Sequence, residues 1–147
     1  MKNYKTFKIG DGMKSICVSD RYCAELDEDQ STLLLFDPET DDVWIRITVI
    51  TVESKDNAEN VMFDYVINLA KEQDKEVEII GDKNYLVDFH QFEEGGDQCI
   101  TYHYHVGYKC HSVVISVTTC LENSITEEFK LVLAEIPEYI ASIQEIS

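Results

Sequence analysis

The sequence predicts an α+β fold, in which an antiparallel meander of about six β-strands carries two main helices packed on it. Strand-like stretches rich in β-branched and aromatic residues come in two groups, within residues 14–52 and 77–119. A stretch with the apolar spacing of a helix follows each group, at residues 56–73 and 123–146. Short polar or glycine-containing loops separate the strands, and such loops favour antiparallel hairpins.

The first group predicts three strands. The stretch "KSICVSDRY" (residues 14–22) alternates weakly between apolar and polar residues. The stretches "STLLLF" (31–36) and "VWIRITVITV" (43–52) are apolar and, in the second case, strongly β-branched. The turn "DPETDD" joins these two, so we expect them to pair as a hairpin.

The second group predicts a short strand and then a three-stranded meander. The turns of the meander are expected at Gly95–Gly96 and at Gly107–Tyr108, since glycine accepts the backbone angles of tight hairpin turns. The four stretches are residues 77–80, 84–92, 98–106 and 111–119.

Both helices have start signals. Asp56 and Glu59 have the spacing of a capping box, and so have Ser124 and Glu127 at the closing helix. Apolar residues at helical spacing form one stripe on each helix, which indicates packing against the sheet. Pro137 lacks an N–H group, so we expect it to kink or split the closing helix.

The composition is that of a globular protein with an acidic surface. The chain has 147 residues, which predicts a single domain over residues 1–147. No apolar run approaches the roughly 20 residues of a membrane span, and no signal peptide is recognisable, so we expect a cytoplasmic protein. The five cysteines form no C-x-x-C motif, and we expect reduced thiols.

The charge of the chain constrains its partners. The net charge is -17, from 29 acidic and 12 basic residues, which disfavours binding to nucleic acid or to an anionic membrane surface. Residues 20–42 contain nine acids and one base, Arg21. A basic protein partner and mere solubility both explain such a stretch. The candidate partner-binding residues are Asp27, Glu28, Asp29, Asp41 and Asp42.

The chain also resembles a known superfamily. The segment "MKSICVSDRY", followed by "STLLLFDPETDDVWIRITV", a helix, a meander and a closing helix, is similar to the PsbP-like fold and its bacterial families. That superfamily includes the photosystem protein PsbP, the Ran-binding import factor Mog and the DcrB lipoproteins. It shares no catalytic motif. The resemblance therefore implies a binding module, often for another protein, and assigns no functional residue.

The meander places a group of chemically active side chains together. If Tyr102 pairs with Val113, the apolar faces of the last two strands match, and His105 lies opposite Cys110. If Gly95–Gly96 is the preceding turn, Asp88 lies opposite His103. His90 is then a diagonal neighbour of His103. One face of the sheet thus gathers Asp88, His90, His103, His105 and Cys110.

Two interpretations of this group remain open. Imidazole, thiolate and carboxylate are ligands of transition metals, so the group predicts a metal site. A solvated polar face with an Asp–His pair explains the same residues. In that case we expect Asp88 to raise the pKa of His103. A catalytic Cys–His pair is disfavoured, because Cys110 and His111 are adjacent on a strand and point to opposite faces.

The sequence therefore favours a small acidic protein-binding module without catalysis or cofactor. An immunity-type protein that blocks a basic toxin fits this description, and so does an adaptor or chaperone for a secreted protein. The alternative is a metal-binding protein or a metal-dependent enzyme that uses the His/Cys/Asp group.

Overall fold

The computed structural model describes residues 3–10, 14–26, 32–40, 42–51, 61–109 and 111–145. These residues form two antiparallel sheets and two helices, which confirms the predicted α+β class, although with more strands than expected. The strands are β1 (Tyr4–Ile9), β2 (Lys14–Ser19), β3 (Cys23–Leu26), β4 (Thr32–Phe36), β5 (Val43–Thr51), β6 (Glu78–Ile80), β7 (Lys83–Glu94), β8 (Asp97–Tyr108), β9 (His111–Cys120) and β10 (Gln144–Glu145). The helices are α1 (Val61–Glu72) and α2 (Glu127–Ala141).

The larger sheet has seven strands in the order β3-β4-β5-β9-β8-β7-β6. The predicted β4–β5 hairpin is confirmed, with Phe36 opposite Trp44. The β7–β8 hairpin is confirmed in the predicted register, because Gly95 and Gly96 both have positive φ and form its two-residue turn. At one edge β6 covers only the first residues of β7, ending opposite Tyr85. Beyond that point the amine of Lys75 donates to the carbonyl oxygen of Val87, at 3.3 Å.

The smaller sheet, in the order β1-β2-β10, contains two strands that were not predicted, β1 and β10. The predicted strand over residues 14–22 is shorter than expected, because β2 ends at Ser19. The next strand, β3, begins only at Cys23 and lies in the larger sheet. The closing helix ends earlier than predicted, and β10 then pairs with β2. The hydroxyl of Ser142 explains this change of direction, since it donates to the Tyr139 carbonyl oxygen at 2.6 Å and accepts from the Cys17 N–H at 2.8 Å.

Helix α2 covers one face of the large sheet. Phe129, Ile136 and Ile140 are buried against the strands, as the apolar spacing predicted. The predicted cap at Ser124 is wrong. The hydroxyl of Thr126 accepts from the Phe129 N–H at 3.2 Å, because residues 123–125 form a separate 3-10 turn.

Pro137 lies inside α2 and does not split the helix, which runs without interruption from Glu127 to Ala141. The expected division at this proline is therefore wrong. No helix formed by the described residues is long and apolar enough to cross a membrane.

Helix α1 packs on the opposite face of the sheet, where Val66 and Ala70 meet Leu86 of β7. Its predicted cap, Asp56 and Glu59, lies outside the described residues. A Cβ atom on Gly107 would lie 2.6 Å from the Met62 carbonyl oxygen and 2.8 Å from the Phe63 Cα. Gly107 therefore allows the start of α1 to approach β8 closely.

This approach explains why the predicted β8–β9 register is wrong. Tyr102 lies opposite Val117, not opposite Val113, and Gly107 is a strand residue opposite Ser112. The turn follows Tyr108 and contains Lys109, whose φ is 57°. A shift of four positions keeps every side chain on its predicted face, since strand faces alternate with period two.

We predict that Gly107→Ala destabilises the protein by about 1–3 kcal/mol, because the new methyl group overpacks the contact between β8 and α1. Urea unfolding measures the loss, and hydrogen exchange should show weaker protection of the α1 amides. Gly81→Ala is the matched control. Its added Cβ meets nothing within 4 Å, so only the local cost of φ +58° applies and α1 keeps its protection. Equal α1 protection in both variants contradicts the close-approach argument.

Candidate functional site

The first candidate site is the histidine group on the α1 face of the sheet. The β7–β8 hairpin places Asp88 opposite His103 and Leu86 opposite His105, as predicted. Because strand faces alternate, Asp88, His103 and His105 share the face that α1 covers at Leu86. His90, two residues after Asp88 on β7, lies on the same face.

The side chains pair along diagonals. The Nε2 atom of His105 lies 2.9 Å from Oδ2 of Asp88. The Nε2 atom of His103 lies 3.2 Å from Nδ1 of His90, and the two rings stack with centroids 5.1 Å apart. Both contacts follow the same diagonal of the β7–β8 pair, within reach of long side chains. Asp88 thus bonds His105, and not the His103 that it faces directly.

The predicted rise in the pKa of His103 is wrong. Partial burial lowers the pKa of His103 below its ordinary value, and the neighbouring His90 and His105 lower it further. The charge of Asp88 opposes this effect without reversing it. The other ring nitrogen of His103, Nδ1, lies 2.9 Å from the hydroxyl oxygen of Ser116. The neutral ring suits this position, because it both donates and accepts a hydrogen bond.

The proposed fifth member, Cys110, lies outside the described residues. The predicted pairing of His105 with Cys110 is wrong, because His105 lies opposite Val114. Across the described ranges no three His, Cys, Asp or Glu side chains are arranged to hold a metal ion. The residues available for one are Asp88, His90, His103 and His105, and their contacts with one another are pairwise. The metal site stays a prediction.

The second candidate site is a groove between α2 and the β4–β5 turn, with a volume of about 290 Å³. Its apolar lining includes Tyr22, Val43, Phe129 and Val132, and Leu131 is exposed beside them. We call it the acidic groove because four carboxylates and one guanidinium line it. These residues are Asp37, Asp42, Glu128, Glu135 and Arg21.

Arg21, the one basic residue among the described residues that line the acidic groove, contacts Tyr22 and Glu135. A guanidinium nitrogen of Arg21 donates to the Tyr22 hydroxyl at 2.9 Å and lies 3.6 Å from Oε2 of Glu135. The Tyr139 hydroxyl donates to the same carboxylate oxygen at 2.5 Å. Burial raises the pKa of Tyr139, and its bond to the Glu135 carboxylate raises it further, so the phenol keeps its proton. Arg21 and Glu135 thus offset each other, and Asp37, Asp42 and Glu128 give the groove its negative charge.

Of the predicted partner-binding residues, Asp42 lines the acidic groove. Asp27, Glu28, Asp29 and Asp41 lie outside the described residues. Sequence reasoning missed the contribution of α2. A signal was present, since Glu128, Leu131 and Glu135 have the i, i+3, i+7 spacing of one helix face.

Comparison with known proteins supports the fold. No protein-family model and no curated protein sequence matches the chain. A crystal structure from Bacteroides thetaiotaomicron VPI-5482 is similar over the whole chain, with 19% identity and a TM-score of 0.73. The chain spans 50% of the length of that structure.

Similar structures also include one from the family that the sequence resembles. The solution structure of cyanobacterial PsbP from Synechocystis sp. PCC 6803 has 10% identity and a TM-score of 0.46. The match covers 99% of this chain and 94% of that one.

The lowered pKa of His103 predicts a pH-dependent stability. An unfolded histidine takes up a proton near pH ~6.5, whereas folded His103 does so only at lower pH. Between these two values the unfolded chain binds more protons, so the free energy of unfolding falls as the pH falls through that window. NMR titration should find the midpoint of His103 below the ordinary value. Asp88→Asn should lower it further, because the carboxylate opposes the shift. A midpoint above ~6.5 contradicts the assignment.

Proposed function

We propose that this protein is a small acidic protein-binding module without catalysis, and that its acidic groove receives a lysine or arginine side chain of a basic protein partner. The observation that carries the proposal is the combination of an apolar lining with three carboxylates that Arg21 does not offset. Long basic side chains have this composition themselves. They bury an aliphatic stem and keep a charged end group among acceptors.

The size of the acidic groove fits one side chain. Its volume of about 290 Å³ lies just below the roughly 300–1,000 Å³ of typical pockets for small molecules and cofactors. In the proposed complex the stem lies along Val43, Phe129 and Val132. The charged end lies between Asp42 on one wall and Glu128 on the other.

The net charge of -17 supports the same kind of partner. A strong field of one sign steers an oppositely charged protein toward the surface and raises the association rate. We therefore favour the immunity-type role, in which the module blocks a basic partner. An adaptor for amphipathic segments would require a mainly apolar groove, whereas carboxylates, among them the exposed Asp42 and Glu128, line this one.

We predict that Asp42→Asn with Glu128→Gln weakens the binding of lysine-containing peptides roughly tenfold, since two partly exposed charge pairs are removed. The probe is a set of capped tripeptides with lysine, arginine or glutamate at the centre, titrated into isotope-labelled protein. For the first two peptides, the amides of Val43, Phe129 and Val132 should shift in NMR spectra. The glutamate peptide should leave them unchanged.

A charge-matched variant separates the acidic groove from the general acidity of the chain. Glu72 and Glu76 are exposed at the end of α1, on the other side of the sheet. Glu72→Gln with Glu76→Gln removes the same charge and should leave peptide binding unchanged. Equal weakening in both double variants, or shifts spread evenly over the acidic surface, contradicts the proposal.

The association rate with a basic protein partner should fall steeply with salt. The Debye length is about 8 Å at physiological ionic strength, so added salt screens the approach of separated charges. Stopped-flow or surface-based kinetics at low and high salt measures the effect. A rate that does not change with salt removes steering by the acidic surface from the mechanism.

A further inference from the structure

Two cysteines that are distant in sequence lie directly opposite each other in the sheet. Cys99 of β8 faces Cys120 at the end of β9. Cys120 is exposed and Cys99 is partly buried, and both are free thiols in the structure. They lie near the β7–β8 turn, at the end of the sheet away from α1.

The hydrogen-bonding pattern places these cysteines at a non-hydrogen-bonded pair. The N–H of Leu121 donates to the carbonyl oxygen of Gln98 at 2.9 Å, so the next pair inward, Cys99 and Cys120, lies between ladder bonds. At such pairs the Cα atoms are about 4.5 Å apart and the side chains lean together. A disulfide requires a Cα separation of about 4.4–6.8 Å.

Directly opposite side chains on this face of β8 and β9 contact each other at the two pairs that precede the cysteines. In the pair beside the cysteines, the hydroxyl oxygens of Thr101 and Thr118 lie 2.8 Å apart. In the pair after that, away from the cysteines, Nδ1 of His103 lies 2.9 Å from the hydroxyl oxygen of Ser116. Cys99 and Cys120 form the pair on the other side of Thr101 and Thr118, on the same face.

We propose that Cys99 and Cys120 form a reversible cross-strand disulfide, which makes this end of the sheet a site of redox modification by small disulfide oxidants such as glutathione disulfide. The exposed Cys120 thiolate attacks one sulfur of glutathione disulfide, breaks its S–S bond and releases one glutathione thiolate. The Cys99 thiolate then attacks the Cys120 sulfur and releases the second. Two protein thiols are oxidised, one glutathione disulfide is reduced to two thiols, and the two protons pass to those thiols.

The surroundings of Cys99 set the conditions for the second step. Burial and the nearby carboxylates of Glu94 and Asp97 raise the pKa of Cys99. The ring-closing attack should therefore become faster as the pH rises, since only the thiolate is nucleophilic. In a reducing compartment the bond forms transiently, which is typical of cysteines that sense oxidants.

The test uses the full chain with Cys110→Ser, since Cys110 lies outside the described residues. After incubation with glutathione disulfide, the mass should fall by two hydrogen atoms, and peptide mapping should join Cys99 to Cys120. Dithiothreitol should reverse the change. In Cys99→Ser the reaction should stop at a glutathione adduct on Cys120.

Two further measurements make the result decisive. The variant Cys17→Ser with Cys23→Ser should form the same bond, because neither residue takes part. The oxidised protein should unfold at a higher urea concentration than the reduced one, since the bond constrains the unfolded chain. Glutathione adducts without a linked peptide overturn the proposal. So does a different linkage, or a link that forms only in urea.

Discussion

The register of β7, β8 and β9 is the constraint on which the rest of the structure depends. Two-residue turns fix it, with closing pairs Glu94–Asp97 and Tyr108–His111. A slip of one residue at either turn would move the buried side chains of a strand to the opposite face. The same register places Gly107 against the start of α1. On the part of that face further from α1, it sets Thr101 opposite Thr118 and His103 opposite Ser116. Helix packing and the arrangement of polar side chains thus follow from one set of backbone contacts.

Sequence reasoning found one of these turns and missed the other, for a physical reason. Gly95–Gly96 offers a single plausible turn, and the register that follows from it is correct. Between β8 and β9, Gly107 looked like the turn residue, whereas the turn uses Lys109 at positive φ. The hydrophobic pattern could not correct the error, because a shift of four positions leaves both faces unchanged. The need for glycine came from a helix more than 40 residues earlier in the chain.

The candidate sites show the same limit. The sequence placed His90, His103, His105 and Asp88 on one face correctly. Residue spacing fixes which residues lie opposite each other, but not whether a side chain bonds its direct or its diagonal neighbour. The acidic groove joins a turn near Asp42 to a helix that follows most of the sheet. The spacing of Glu128, Leu131 and Glu135 indicates one face of that helix, but no local pattern indicates the turn that this face meets. Strand β1 escaped prediction because only Ile9 of its residues is buried, and its sequence shows no apolar alternation.

The short strand at the edge of the large sheet has a consequence for self-association. An open backbone edge is a template on which a second chain can add a strand. In the described part of the chain, β6 pairs with β7 only as far as Tyr85, so the outer side of β7 beyond that residue has no neighbouring strand. Lys75 occupies one carbonyl group there, and Glu93 and Glu94 end the strand with negative charge. Two such edges repel each other, and the net charge of -17 on each chain adds a repulsion that opposes pairing of the two backbones.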